Sequence, residues 1–412
     1  MSKEFSQGFA RQHLSSLAHI DKESLGSSTG KDFSFYYISL SDVNKGKINP
    51  NLEYFRYESA PSRARRLVKK GDVLLSTVRP NLQGFAKIGE KNDGNVVSTG
   101  FSVLTPKDSC CGDYLYQYLF SAHITGQINA LVVGSNYPAI NSSDVKGLNI
   151  YCPQLNEQKK IAEILSTWDK AITTTEKLLK NSQQQKKALM QQLLTGKSRI
   201  GFKHGEYALK KVKYGHIPSD WQYESIKNIC SSYTKKNSDR NDYPVLSCSK
   251  YDGFVDSLSY FKKKVYSDDT TGYRVIPYGY FGFPANHVEE GSIGLQKLYD
   301  YGLVSPIYVV FEPNSKKVNS EFLYAVLKTD RYRQIFSAAT NASVDRRGSL
   351  RWKEFSEIRV PLPSLEEQAA VASVLSSANA DIRVLEKKLD YLKQEKKALM
   401  QQLLTGRVRV KV

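Results

Sequence analysis

The segment KKALMQQLLTG occupies Lys186–Gly196 and recurs without a single change at Lys396–Gly406. At the same offset along the chain, PQLNEQ at Pro153–Gln158 aligns with PSLEEQ at Pro363–Gln368. Across the whole stretch from Pro153 to Gly196, 23 of 44 positions are identical to their partners, without a gap. Identity of this length does not arise by chance, so the chain contains an internal duplication.

Each copy of the duplicated segment predicts one long helix. A proline precedes each helix, a glycine follows it, and apolar residues between them recur at alternating steps of four and three. This period is typical of a left-handed coiled-coil seam, and two unrelated amphipathic helices on separate cores are the alternative. The predicted seam residues are Ile161, Leu165, Trp168, Ile172, Leu179, Leu189, Leu193, Val371, Leu375, Ile382, Leu385, Leu389, Leu392, Leu399 and Leu403.

The linkers between segments predict how the two helices run. The second globular stretch follows the first helix closely and precedes the second helix closely, so the helices are expected to be antiparallel, each roughly 60 Å long. We predict an α+β fold, with two pseudo-symmetric α/β heads separated by an antiparallel coiled coil. The predicted segments are a first head at 1–152, a first long helix at 153–197, a second head at 198–362, and a second long helix with a C-terminal tail at 363–412. Within the first head, Val96–Leu104 predicts a single strand.

Composition points to a nucleic-acid partner. Fifty-nine Lys and Arg against 41 Asp and Glu give a net charge of +18, and the surplus is spread along the chain. Such a surplus favours binding to phosphates, although an otherwise ordinary basic protein is the alternative. No apolar run is long enough for a membrane span, and the first residues show no signal core. Five cysteines without a CxxC pair predict a reducing cytoplasm.

Motifs for self-contained catalysis are missing from the sequence. GKS at Gly196–Ser198 lacks the upstream glycine of a phosphate loop, and there is no strand-linked GxGxxG and no HExxH. The six histidines are scattered without metal-ligand spacing. We therefore expect no catalytic residue, no metal and no cofactor in this chain.

Candidate DNA contacts are basic and amide side chains in the two heads. Arg, Asn and Gln read guanine or adenine edges bidentately, whereas lysines more often contact phosphates. For any single residue a solvated surface charge is an equally good reading. The candidates are Arg63, Arg65, Arg66, Lys69, Arg79, Asn81, Gln83, Asn136, Tyr137, Lys262, Lys263, Arg274, Asn286, Arg346, Arg347 and Arg351.

Taken together, the chain resembles the specificity subunit of Type I restriction–modification enzymes. The resemblance rests on the duplicated P-x-L-x-E-Q entry and on the long helices that end in LLTG. Two further matches are GDVLL at Gly71–Leu75 and GHIPSDW at Gly215–Trp221, which looks like the family's opening of a recognition domain. The first head departs from the pattern, because no Ile-Pro-x-x-Trp signature opens it.

The resemblance implies a role that the residues alone would not. Each head would be a target-recognition domain reading half of a bipartite site on double-stranded DNA, and the helices would set the spacer. Two modification (methyltransferase) subunits would dock along the helices and bring S-adenosylmethionine, and restriction subunits would add ATP- and Mg-dependent cleavage. This chain would be non-catalytic. A coiled-coil scaffold with two protein-binding heads is the alternative from another class, and an enzyme with an unrecognised site is a third.

Overall fold

A computed structural model describes residues 8–132, 138–203, 206–341 and 349–411, without the side chain of Asn341. The chain forms two compact units: unit 1 comprises Met1–Lys177 with Lys387–Val412, and unit 2 comprises Leu178–Glu386. The division passes through the middle of both long helices, so each helix contributes one half to each unit. The predicted segments follow the sequence instead, and their boundaries stay predictions.

The first head and the helix that follows it contain twelve strands and five helices within the described ranges. The strands are β1 Ala10–His13, β2 Ala18–Ile20, β3 Ser34–Ile38, β4 Val43–Asn44, β5 Lys47–Ile48, β6 Glu53–Arg56, β7 Ala64–Leu67, β8 Val73–Ser76, β9 Phe85–Lys87, β10 Val96–Ser98, β11 Phe101–Pro106 and β12 Asn149–Cys152. The helices are α1 Leu14–Leu17, α2 Gly112–Leu119, α3 Ala122–Leu131, α4 Ser142–Gly147 and α5 Leu155–Leu193.

Two four-stranded sheets organise the first head, in the orders β6-β3-β10-β7 and β2-β11-β8-β9. The prediction of one strand over Val96–Leu104 is wrong, because Thr99 and Gly100 separate β10 from β11 and the two strands belong to different sheets. The Gly100 carbonyl accepts from the Thr77 amide at 2.8 Å, so this break is itself bonded to the end of β8. A continuous run of apolar residues therefore marks two buried strands here rather than one.

The second head and its helix contain twelve strands and six helices within the described ranges. The strands are β13 Leu209–Val212, β14 Gly215–Pro218, β15 Gln222–Ser225, β16 Cys230–Tyr233, β17 Leu246–Ser249, β18 Gly253–Asp256, β19 Arg274–Pro277, β20 Phe281–Pro284, β21 Gly294–Leu295, β22 Tyr301–Val304, β23 Tyr308–Pro313 and β24 Arg359–Leu362. The helices are α6 Ile226–Ile229, α7 Ser257–Phe261, α8 Ser320–Leu327, α9 Asp330–Asn341, α10 Trp352–Phe355 and α11 Leu365–Leu403.

One sheet is common to both heads. The order β16-β23-β20-β21 in the second head matches β2-β11-β8-β9 in the first. The register matches as well: Leu74 pairs with Ala86 and Gly282 pairs with Gly294, so a single offset along the chain relates both residues of one pair to those of the other. The other four-stranded sheet of the first head has no such match: the described part of the second head has the two-stranded pairs β17-β18 and β19-β22 instead. The heads therefore share a framework and differ in what is added to it.

The long helices α5 and α11 have 39 residues each and are antiparallel within each unit. In unit 1 the start of α5, with Ile161 and Leu165, shares a hydrophobic core with Leu403 near the end of α11. In unit 2 the end of α5, with Leu193, shares a core with Val371 near the start of α11. All of the predicted seam residues are buried or half-buried, as a coiled-coil contact requires.

Charged pairs reinforce the helix contact in unit 1. The Lys396 Nζ donates to Asp169 Oδ1 at 2.6 Å, and the Lys393 Nζ lies 3.1 Å from Glu176 Oε1. Residue numbers increase from Asp169 to Glu176 along α5 and decrease from Lys396 to Lys393 along α11. Both pairs together therefore require antiparallel helices. Lys396 stands four residues after Leu392 and three before Leu399, so it lies on the seam although it is charged. Its pairing with Asp169 explains how that charge is accommodated.

The glutamines of the duplicated P-x-L-x-E-Q entry fasten each helix to its own head. The Gln158 Oε1 accepts from the Cys111 amide at 2.9 Å, and its Nε2 donates to the Pro153 carbonyl at 3.0 Å. Gln368 repeats both bonds, to the Asn319 amide at 2.7 Å and the Pro363 carbonyl at 2.9 Å. Cys111 and Asn319 immediately precede α2 and α8, where backbone N–H groups lack helical partners. The hydrogen bonds of these glutamines therefore attach the start of each long helix to its own head.

The glutamates of the same motif bind arginines from the other helix's end. In unit 1, Arg409 donates from Nε and Nη2 to the two Glu157 oxygens at 2.9 and 2.7 Å. In unit 2, Arg199 donates in the same way to Glu367 at 2.8 and 2.7 Å. The two arginines occupy equivalent positions of the duplication, as do the two glutamates. We call these two contacts the unit 1 clamp and the unit 2 clamp.

The two clamps differ in how deeply the arginine is buried. The Arg199 side chain is 5% exposed and also donates to both carboxylate oxygens of Asp220 at 2.9 Å, whereas that of Arg409 is 46% exposed. The hydrogen bonds from Arg409 hold the pKa of the Glu157 carboxyl below its usual value. In unit 2 the bonds to Glu367 and Asp220 raise the pKa of the Arg199 guanidinium. In the described part of the chain, no helix has the length and apolarity needed to cross a membrane.

Candidate nucleic-acid interface

A tight turn between β8 and β9 carries three of the residues predicted to contact DNA in the first head. Pro80–Leu82 form a single 3₁₀ turn, with Arg79 before it and Gln83 after it. Arg79 (φ 48°) and Gln83 (φ 55°) both adopt the left-handed conformation, which is strained for residues other than glycine. Arg79 and Asn81 are exposed, and Gln83 is half-buried. We call residues 79–83 the first-head turn.

Backbone hydrogen bonds fix the first-head turn against the segment that precedes α4. The Arg79 amide donates to the Pro138 carbonyl at 2.7 Å, and the Ile140 amide donates to the Thr77 carbonyl at 2.9 Å. Asn136 and Tyr137, the other candidates predicted for this part of the head, lie outside the described residues.

The second head has the same turn at the equivalent place in the shared sheet. Val288–Glu290 form a 3₁₀ turn between β20 and β21, preceded by His287 and followed by Gly291 (φ 93°). The Leu350 amide donates to the Ala285 carbonyl at 2.8 Å, which repeats the bond between Ile140 and Thr77. We call residues 287–291 the second-head turn.

Hydrogen bonds inside the two turns also correspond one to one. The Gln83 amide donates to the Pro80 carbonyl at 2.9 Å, as the Gly291 amide does to the Val288 carbonyl at 2.9 Å. The Leu82 amide donates to the Arg79 carbonyl at 2.9 Å, as the Glu290 amide does to the His287 carbonyl at 3.2 Å. The two turns therefore share their internal hydrogen bonds and a left-handed last residue, but Arg79 (φ 48°) and His287 (φ −141°) differ in backbone conformation, and the side chains differ as well.

The charge of the second-head turn is opposite to that of the first. Arg79, Asn81 and Leu82 correspond by position to His287, Glu289 and Glu290. His287 and Glu290 are exposed, and the His287 Nδ1 lies 3.2 Å from Glu290 Oε1. Asn286 is the residue of this region that was predicted to contact DNA; His287, Glu289 and Glu290 were not predicted, because only basic and amide side chains were considered. Aligning the two heads on the strands that flank the turn is the signal that finds them.

Several other candidates of the first head are already engaged within the protein. The Arg66 guanidinium is largely buried and lies 2.8 Å from Asp21 Oδ1, and burial lowers its pKa. Arg65 lies over the Tyr57 ring at 5.0 Å and donates to the Ala64 carbonyl at 2.8 Å. Lys69 pairs with Glu23 at 2.5 Å, although it is largely exposed. Arg63 is exposed just before β7. These residues lie on or beside β7, in the sheet that does not carry the first-head turn.

In the second head the remaining candidates lie on different elements. Lys262 and Lys263 are exposed directly after α7, and Lys262 (φ 54°) ends that helix in the left-handed conformation. Arg274 begins β19, and its Nε donates to the Pro306 carbonyl at 3.3 Å. Asn286 is half-buried, and among the described residues its Oδ1 has no hydrogen-bond partner. Arg351 precedes α10. Arg346 and Arg347 lie outside the described residues.

Metal binding is not assigned to any of these residues. The ligand atoms of His287, Glu289 and Glu290 lie within 4.8 Å of one another, but two of the three residues are exposed, and exposed acidic groups commonly cluster without an ion. The five cysteines are free. Burial raises the pKa of the Cys110 and Cys230 thiols to about 12, which keeps them protonated and unreactive.

Comparison with known proteins identifies the family. The Type I restriction modification DNA specificity domain matches this chain twice, at residues 27–182 and 218–394. The chain therefore belongs to this family, and it is a DNA-specificity subunit of a type I restriction–modification system. Such a subunit is non-catalytic, and the catalytic activities of the system reside on other subunits.

Individual relatives extend the similarity over most of the chain. The MjaVIII specificity subunit of Methanocaldococcus jannaschii is 26% identical over 361 residues, covering 84% of this chain and 81% of the relative. The HindI specificity subunit of Haemophilus influenzae is 28% identical over 148 residues, 34% of this chain and 32% of the relative.

Solved structures share the fold. The HsdS subunit from Thermoanaerobacter tengcongensis has a TM-score of 0.52 at 20% identity, covering 98% of both chains. A chain from the structural work on assembly and conformational transition of the type I R-M system has a TM-score of 0.58 at 20% identity, covering 98% of this chain and 99% of that one.

Proposed function

We propose that each head reads one half of a bipartite DNA site and that the two long helices set the unspecified spacer between the halves. The observation that carries this proposal is the pair of turns at the equivalent place in the shared sheet, which present Arg79 and Asn81 in one head and His287 and Glu290 in the other. Two readers with the same framework and different side chains suit a site with two unlike halves.

The length of the helices supports their proposed role in spacing. A helix of 39 residues is about 58 Å long at 1.5 Å per residue. At 3.4 Å per base pair, this length corresponds to roughly 17 base pairs of duplex. Two half-sites and a short spacer fit within that length.

The same helices are the proposed docking surface for two modification subunits. Repeated sequence in α5 and α11 offers two similar surfaces, one in each copy, which supports two equivalent partners. S-adenosylmethionine would then be bound by the modification subunits, and ATP and Mg by restriction subunits where these join the complex. A DNA partner and five reduced cysteines support a cytoplasmic location.

Mapping of methylated positions tests this proposal. The complex of this chain with its modification subunits would be expressed in a host without other methyltransferases, and the modified genome sequenced. We expect two specified blocks separated by a constant number of unspecified bases. A single continuous recognition sequence would contradict the proposal.

A further inference from the structure

We infer that the first-head turn and the second-head turn are the base-reading elements of the two heads, with Arg79 reading guanine and Glu290 reading cytosine. The inference rests on the proposed function and adds to it the residues and bases that give each half-site its identity. It is carried by the one-to-one match of the two turns together with the reversal of their charge.

The backbone of each turn is held independently of its side chains. Each turn connects two neighbouring strands of the shared sheet and is closed by two internal hydrogen bonds between backbone groups. In the first head the left-handed conformations of Arg79 and Gln83 persist although neither is a glycine. The strands and internal hydrogen bonds thus fix the turn at the same edge of the sheet in both heads, while its exposed side chains differ, which is what a reading element needs if its target is to change.

The side chains at the exposed positions of the turns match the chemistry of base edges. The planar guanidinium of Arg79 can donate two parallel hydrogen bonds, and guanine presents the paired acceptors O6 and N7 in the major groove. Thymine presents a single acceptor, and adenine and cytosine present an amino donor. Guanine is therefore the base that an arginine at this position favours.

The acidic second-head turn is the more informative of the two. Phosphates repel carboxylates, so exposed glutamates on a DNA-contacting surface do not serve general affinity. The donors that the major groove offers to a carboxylate are the amino groups of cytosine and adenine. In the major groove adenine N6 lies between two acceptors that repel a carboxylate, its own N7 and O4 of the paired thymine, whereas cytosine N4 has an acceptor on one side only, O6 of the paired guanine. Cytosine is therefore the base that Glu290 favours.

His287 acts as a positioning residue for Glu290. Its Nδ1 lies 3.2 Å from Glu290 Oε1, which holds one carboxylate oxygen and leaves Oε2 for a ligand. Glu290 is exposed, whereas Glu289 beside it is half-buried and its Oε2 is removed from solvent. Of the two glutamates, Glu290 is thus the one that can reach a base.

Two single substitutions in the assembled complex test the inference. Glu290→Gln replaces a carboxylate by an amide, which pairs bidentately with adenine, and Arg79→Gln makes the corresponding change in the first head. Methylated sites would be mapped for each complex. Glu357→Gln is the matched control, because Glu357 is an exposed glutamate of the second head that pairs with Lys227 and lies outside the turn.

For Glu290→Gln we expect the preference for cytosine at one position of the second half-site to fall by tenfold or more. Adenine should become more frequent at that position, and the first half-site should not change. For Arg79→Gln we expect a guanine of the first half-site to lose its preference in the same way. Glu357→Gln should leave both halves unchanged. Where a variant lowers methylation overall, the base frequencies at the sites that are still methylated give the same answer.

The inference is overturned if Glu290→Gln leaves the second half-site as it was, alters both halves, or is matched by Glu357→Gln. In these cases a bipartite motif of the unaltered complex would still uphold the proposed function. A continuous motif in the unaltered complex would instead remove the proposed function itself.

Discussion

The clamps and the turns show opposite outcomes of the same duplication. At the clamps, glutamate and arginine recur at equivalent positions of the two copies, with the same two hydrogen bonds in each unit. At the turns, the backbone bonds recur at equivalent positions while the side chains change from arginine and asparagine to histidine and glutamate. Contacts that join helix to helix and helix to head were kept in both copies, and positions exposed on the heads diverged.

Substitution of the clamp arginines should produce the largest difference in lost stability between the two units. Arg199→Ala removes the guanidinium that pairs with the buried Glu367 carboxylate, as well as with the exposed Asp220, so we expect unit 2 to lose about 3 kcal/mol. Arg409→Ala should destabilise unit 1 less, because the Arg409 side chain is 46% exposed whereas that of Arg199 is 5% exposed. Hydrogen exchange of the α8 amides reports unit 2, and that of the α2 amides reports unit 1.

Lys197→Ala is the control for both clamp variants, since Lys197 is exposed beside the end of α5. It should leave exchange in both helices unchanged. If Arg409→Ala accelerated exchange in α2 as much as Arg199→Ala does in α8, the difference in burial would not govern the clamps.

Substitution of the motif glutamines Gln158 and Gln368 should destabilise the two units by similar amounts. Gln158→Ala and Gln368→Ala each leave one backbone amide and one carbonyl unpaired at a buried helix start, which costs about 2 kcal/mol. The same exchange measurement in α2 and α8 should give matching losses, while Gln184→Ala at an exposed position of α5 should give none. Losses that differ between the units by more than about 1 kcal/mol would show that the two fastenings are not equivalent.

The smallest expected effect depends on pH in unit 1. Because Arg409 lowers the pKa of Glu157 below 4.5, the ionised Glu157 stabilises unit 1 above that pH, and this stabilisation is lost as pH falls through the lowered pKa. Glu157→Gln should therefore reduce protection of α2 at pH 7, and the difference from the unaltered chain should shrink as the pH falls below 4.5 and through the lowered pKa of Glu157. If the difference in protection between Glu157→Gln and the unaltered chain does not change with pH, the effect comes from the shape of the side chain rather than from its charge.

Local patterns in the sequence predict the helices well. A strict period of four and three residues with a proline before and a glycine after specifies a long helix with one apolar face, and α5 and α11 follow it. The antiparallel direction also follows, because the linkers of the chain leave little alternative. These features depend on neighbours along the chain, which the sequence displays directly.

Features that depend on distant neighbours were not predicted. Arg199 and Glu367 are far apart in the sequence, and nothing local to either residue indicates their pairing. From the sequence alone Arg66 was predicted to contact DNA, but in the folded head it pairs with Asp21. The second-head turn was missed for a different reason: a search for basic residues in a basic chain passes over glutamates, although a carboxylate also reads a base edge.

The most direct test exchanges the turn and leaves the framework in place. In a chain whose residues 287–291 are replaced by Arg-Pro-Asn-Leu-Gln, the sequence of residues 79–83, the methylated sites of the assembled complex would be mapped. We expect the spacer and the first half-site to stay unchanged while a cytosine of the second half-site is replaced by a guanine. An unchanged second half-site, or a change in both halves, would contradict this expectation.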